Sequence, residues 1–212
     1  MPRSMKFNQK NGKIIIQSKD GGINDLFVRE LNIDELLNEN KLGKLKGIIK
    51  PEVEISNGEI SLKLYPSELS MMVNDYNVSK IRIEEGTFKN NQLKTSLRIS
   101  DENVLLDFTC DIDLGSKKTI DGLLNIDFLN LDALNLTSDT CTIESSSIAM
   151  NLIHSHEGQY QGQISSDSIL YRQGNKLMPV TGTNVSISID GNQEHHILTS
   201  SLIDAEVQGR ID

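Results

Sequence analysis

Near the end of the sequence, Ile203, Ala205, Val207, Gly209 and Ile211 take every second position, with Asp204, Glu206, Gln208, Arg210 and Asp212 between them. A period of two marks a half-buried β-strand, because successive side chains leave opposite faces of the pleat. The same alternation recurs along most of the chain. Ile60, Leu62 and Leu64 alternate with Glu59, Ser61 and Lys63, and Leu97 and Ile99 flank Arg98. Leu106, Phe108, Cys110, Ile112 and Leu114 are interleaved with Asp107, Thr109, Asp111 and Asp113. Ile148, Met150 and Leu152 continue the pattern, as do Val185, Ile187 and Ile189. Strands with one oily and one charged face predict an all-β fold of antiparallel sheet, covered on a single side.

Turn signals separate these runs at short intervals: Asn57-Gly58, Asn90-Asn91, Gly115-Ser116, Gly174-Asn175 and Asp190-Gly191-Asn192. Consecutive hairpins follow, so sequence neighbours pair in space. Helical signals are confined to Leu31–Asn38, about two turns with Asn32 as cap, and to one turn over Ser67–Val73. No linker rich in Gly, Ser or Pro divides the 212 residues, which predicts one continuous sheet. Within it, Leu31-Asn32-Ile33-Asp34-Glu35-Leu36 recurs 98 residues later as Leu129-Asn130-Leu131-Asp132-Ala133-Leu134. Asp111-Ile112-Asp113 recurs 99 residues later as Arg210-Ile211-Asp212. Two anchors at nearly one spacing predict a duplicated unit of several strands, over 1–115 and 116–212.

Composition narrows the function. Against 30 Asp and Glu stand 21 Lys and Arg, a net charge of −9 that argues against a nucleic-acid backbone as partner. Aromatics at 4% and the absence of Trp argue against stacking platforms for bases or sugars. About fifty residues are Leu or Ile, so the apolar surface is almost wholly aliphatic. No segment approaches the roughly 18 uninterrupted apolar residues of a membrane helix. The richest stretch, Leu123 to Leu136, is broken by Asp127 and Asp132. Met1-Pro2-Arg3-Ser4-Met5 carries no apolar run of the secretory-signal type.

Residues with catalytic or ligating chemistry do not form a constellation. His154 and His156 share a strand face, as a metal pair needs, but no third ligand accompanies them. His195 and His196 are consecutive and fall on opposite faces as turn-flanking residues. Ser145, Ser146 and Ser147 lack a Gly-x-Ser-x-Gly frame. Asp111 and Asp113 could suggest a glycosidase pair, yet alternating acids recur on several strands and read as a solvated face. Cys110 and Cys141 define neither a zinc site nor a disulfide framework; a bond between them is open in an oxidising compartment, and two buried thiols are the preferred reading. The expectation is a non-enzymatic chain with no catalytic residue, metal or cofactor.

Longer phrases carry a resemblance. Gly122-Leu123-Leu124-Asn125-Ile126-Asp127 runs into Leu129-Asn130-Leu131-Asp132-Ala133-Leu134-Asn135-Leu136-Thr137. Ser168-Ile169-Leu170-Tyr171, Gly174-Asn175-Lys176-Leu177-Met178-Pro179 and the stretch from Leu198 to Arg210 follow. In this order and spacing, over about residues 120 to 212, the chain resembles the TamB-like, AsmA-related envelope proteins, particularly the long versions of Bacteroidota. Asn135 stands where that family has Gly, and Asn also tolerates positive φ. Leu177 stands where an aromatic often precedes the Pro.

The resemblance implies a long curled antiparallel sheet forming a repeating β-groove, or β-taco, with an apolar interior. It implies an internal piece of a longer periplasmic protein, anchored in the inner membrane only through its parent sequence. The implied function is a segment of a lipid-transfer conduit, carrying phospholipid acyl chains between inner and outer membrane. The alternative is a scaffold or adaptor in outer-membrane protein assembly, with a barrel partner of the TamA/BamA type. The lining would be Ile60, Leu62, Leu64, Leu97, Ile99, Leu106, Phe108, Ile112, Ile148, Met150, Leu152, Val185, Ile187, Ile189, Ile203, Ala205, Val207 and Ile211. About 14 strands at about 4.8 Å would span roughly 65 Å. Alternation alone favours a closed β-sandwich, whose second sheet would fill the same face with protein; only the resemblance reverses that order.

Overall fold

Two-residue turns set the topology. Asn74 and Asp75, and again Asn90 and Asn91, take left-handed φ values of 44°, 69°, 52° and 62°. That geometry matches the twist of the flanking strands and folds each strand back on the last. The computed structural model describes the backbone over residues 4–9, 12–19, 22–32, 44–56, 59–156 and 159–210, and side chains over 45–52, 61–155 and 159–210. The strands are β1 (Ser4–Gln9), β2 (Gly12–Lys19), β3 (Gly22–Asn32), β4 (Lys44–Ser56), β5 (Glu59–Val73), β6 (Tyr76–Lys89) and β7 (Gln92–Ser100). They continue as β8 (Val104–Asp113), β9 (Lys118–Asn130), β10 (Cys141–His156), β11 (Gln159–Gln173), β12 (Lys176–Asp190), β13 (Gln193–Thr199) and β14 (Asp204–Arg210).

All fourteen join one antiparallel sheet in chain order, and β1 and β14 do not meet, so the sheet is open. Strands pack closely only on their sequence neighbours. The closed sandwich is therefore corrected: each strand takes its sequence neighbour as partner, and no second layer occurs among the described residues. Register shifts place an extra residue in β5, β6, β9, β10 and β11, bulges that bend the strands and curl the sheet. The helical turn expected over Ser67–Val73 is also corrected. Leu69, Met71 and Val73 alternate there and pair with Ile81, Val78 and Tyr76, a ladder that overrides weak local preference. Leu31 and Asn32 close β3, and 33–38 lies outside the described residues.

Strand length follows a period of six. The pairs β1–β2, β7–β8 and β13–β14 run 6 and 8, 9 and 10, and 7 and 7 residues. Between them lie two runs of four strands, each strand 11 to 16 residues long. The repeated phrases obey the same period: Leu31 and Leu129 sit near the ends of β3 and β9, and Asp111 and Arg210 near the ends of β8 and β14.

Because β7 is short, Tyr76–Lys80 of β6 has no β7 partner, and the sheet rim steps down. The loop between β9 and β10 fills that step. Leu134 is 4% exposed and packs with Leu69, Val78, Ile81 and Val104 as the buried core. Asn135 takes φ 54°, which accounts for Asn at a Gly-like position. Its Nδ2 donates to the Asn74 carbonyl at 2.7 Å, and Asn74 Nδ2 donates to the Leu134 carbonyl at 3.3 Å. Below the loop, the β7–β8 turn holds Asp101, 4% exposed. Its carboxylate accepts from Tyr76 Oη at 2.5 Å, Ser79 N at 2.9 Å, Ser79 Oγ at 2.6 Å and Asn103 N at 3.1 Å. Asn130 Nδ2 donates to Asn103 Oδ1 at 3.0 Å and ties β9 to the same turn.

Candidate functional site: one uncovered apolar face

Residues directly opposite in an antiparallel ladder share a face, so register alone follows a row across the sheet. One row runs Leu62, Phe88, Leu93, Ile112, Ile120, Leu152, Gly162, Ile187, His196 and Val207, from β5 to β14. The next runs Leu64, Gly86, Thr95, Cys110, Gly122, Met150, Ile164, Val185, Leu198 and Ala205. Leu97, Phe108, Leu124 and Ile148 form a third, and Ile99, Leu106 and Ile126 extend a fourth. Ile189 joins the same face opposite Tyr160 and Glu194.

The alternating residues of the sequence are thus gathered on one face, with three qualifications. Ile60 belongs to β5 but its side chain lies outside the described residues, as does all of Ile211. Ile203 is not part of a strand; it closes the turn before β14 and is 55% exposed. Most of the face is half-buried, while Ala205 and Val207 on β14 are exposed. Alternation did not reveal Phe88, Leu93, Ile120, Leu124, Ile126, Ile164 or Leu198, which belong to the same rows.

Polar groups enter this face toward one end. His154 stacks on Tyr160 with ring centroids 4.5 Å apart, and His196 Nε2 lies 3.2 Å from Glu194 Oε2. His195, on the opposite face, meets Glu206 Oε1 at 2.9 Å. Hydrogen bonds from His195 and Gln208 hold the Glu206 carboxyl below its ordinary range. Both histidines sit inside β13 rather than beside a turn. Side-chain geometry at His156 lies outside the described residues, and among those described no three His, Cys, Asp or Glu are placed to hold a metal ion. Ser146 and Ser166 are buried with their hydroxyls 3.3 Å apart. Cys110 and Cys141 are separate buried thiols, and burial pushes the Cys110 thiol up.

The other face is a lattice of polar pairs. Arg98 grips Asp107 through Nε at 2.6 Å and Nη2 at 3.0 Å, and Lys94 Nζ meets Asp111 at 2.6 Å. Arg172 pairs with Glu144, Ser147 Oγ donates to Asn125 at 2.7 Å, and Asn151 Nδ2 donates to Asp121 at 2.5 Å. Asp113 accepts the Gly115 N–H at 2.7 Å, so Asp111 and Asp113 each serve a local structural partner. A concavity of about 630 Å³ opens on this polar face among Lys94, Asp111, Asp121, Asn151 and Gln163. Others of about 600 Å³ and 560 Å³ lie on it near Arg82 and His195.

The fold and the face define an all-β protein of one open sheet, with no second layer facing it among the described residues. Comparison with family models, with curated proteins and with solved structures finds no match to this chain.

Proposed function

We propose that the chain is a non-enzymatic segment of a periplasmic lipid-transfer conduit, a β-groove whose apolar face receives phospholipid acyl chains. The observation that carries this reading is the continuity of apolar rows across ten strands with no facing protein layer among the described residues. A folded sheet normally buries such a face against another element; here an aliphatic guest takes that place. Leu, Ile and Val offer non-directional contact with no polar group to desolvate, and each buried methylene contributes about 0.8 kcal/mol. A lining without strong local anchors suits sliding. The two units, 1–115 and 116–212, would meet in the turn between β8 and β9, the second holding six strands and the first the six of β3–β8 preceded by β1 and β2.

Ile187 and Val207 lie in one row of the apolar face, and Ser188 faces the other side. Ile187→Arg and Val207→Arg should each reduce capture of a fluorescent phospholipid at least fivefold, while Ser188→Arg leaves it unchanged. Equal capture by all three variants would remove these rows from the lipid path. A second reading, an adaptor for outer-membrane protein assembly, is favoured by the edge of β14, which pairs with no further strand among the described residues. It expects binding of unfolded barrel strands by main-chain pairing, indifferent to Ile187→Arg.

A further inference from the structure

The six-strand period places β13–β14 where β7–β8 stands one unit earlier, yet the two places differ in what covers them. Beside β7 the rim steps down, and Leu134 and its loop fill the step. Beside β13 the step is deeper: Lys176–Thr183 of β12 has no β13 partner. The turn below it is braced in a similar way, with Ser201 N donating to the Thr181 carbonyl and Thr181 N donating to Ser201 Oγ, both at 2.9 Å. Nothing among the described residues fills this second step. Val104, under Leu134, is 3% exposed, whereas Ile203, 99 residues on, is 55% exposed. Leu202 and Met178 beside it are 71% and 36% exposed. The outer edge of β8 carries β9, and that of β14 carries no strand among the described residues.

We propose that the β12–β14 step is a docking site for a strand-and-loop segment of the kind formed by residues 118–136. Its strand adds antiparallel to β14, and its loop lowers a leucine equivalent to Leu134 onto Met178, Val180 and Ile203. Continuity with the β8–β9 junction identifies the occupant, since that junction is the same surface already filled. Main-chain pairing supplies affinity and the leucine supplies register. The Leu31–Leu36 phrase shows that the filler sequence occurs more than once in this chain. None of this depends on whether the apolar face carries lipid.

The test uses the full chain with a synthetic peptide of residues 118–140, read by amide hydrogen exchange. With peptide in excess, exchange over Asp204–Arg210 slows at least tenfold, and a peptide carrying Leu134→Asp binds at least tenfold more weakly. Ile203→Asp in the chain produces the same loss from the other side. Its position in an exposed turn keeps the fold intact, checked by unchanged exchange in β6–β9. An unprotected β14 with either peptide overturns the proposal. So does equal protection by the Leu134→Asp peptide, which would mean strand addition without a seated loop. Chains that already self-associate through β14 and resist competition by the peptide would also overturn it, in favour of a second copy.

Discussion

Three residues carry more of this fold than their neighbours. Burial opposes ionisation of Asp101, but hydrogen bonds from Ser79, Tyr76 and Asn103 outweigh it and lower its pKa from 3.8 to about 2. A carboxylate lowered on folding contributes stability that is complete above its unfolded pKa and fades as pH falls through the folded value. The window is therefore pH 4 down to 2, and the contribution is about 2 kcal/mol. Asp101→Asn should lower stability by that order at pH 7 and flatten the acid limb, as urea midpoints from pH 2 to 7 would show. Leu134→Ala removes a side chain from the buried core and should cost about 2–4 kcal/mol. Gly47 holds φ 151°, and a Cβ there would stand 2.4 Å from the Glu68 carbonyl oxygen and 2.8 Å from Leu69 Cα. Both contacts are backbone, so Gly47→Ala should destabilise by roughly 1–3 kcal/mol; a thermal midpoint within a degree of the parent would refute the close approach.

Among the elements, regular strands were legible and bulged ones were not. Leu106 to Ile112 kept one parity through β8, and Val185 to Ile189 did so through the lower part of β12, so alternation marked their apolar side correctly. In β6 the inward residues are Val78, Ile81, Ile83 and Phe88, a spacing that breaks at Lys80, whose φ is 54°, and again between Ile83 and Glu85. A bulge inserts one residue and reverses parity, which hid Phe88 from a period-two reading. The same reversal separates Leu129 from Ile126 in β9 and Ile143 from Ser146 in β10. Filling of the rim step was equally hidden, because the contact between Leu134 and Val78 depends on strand lengths that the sequence does not display. Ser67–Val73 read as one helical turn, although its inward residues Leu69, Met71 and Val73 alternate as a strand's do. Packing should also grade the elements dynamically. Amides of β6, under the Leu134 core, should exchange at least about a hundredfold slower than those of β14, whose residues are all exposed.

For the whole molecule, hairpin order was legible from turn residues, and it alone makes the sheet continuous. The choice between an open sheet and a sandwich was not, because both need the same alternation; it lies in the strand order, in which every neighbour in the sheet is a neighbour in sequence. The two short phrases of the sequence fall six strands apart, the spacing at which the short strand pairs recur. Apolar rows and polar pairs then divide the sheet into two faces of opposite chemistry, with the Lys94–Asp111 and Arg98–Asp107 pairs on the polar one. The central claim is that acyl chains lie against the apolar rows. Its most direct measurement is photo-crosslinking with a phospholipid bearing a diazirine at the acyl terminus, with adducts mapped by mass spectrometry. Adducts on Leu93, Ile112, Leu152 and Ile187, and none on Lys94, Asp111 or Ser188, are the expected result. Adducts on the polar face in equal yield, or no adducts at all, would contradict it.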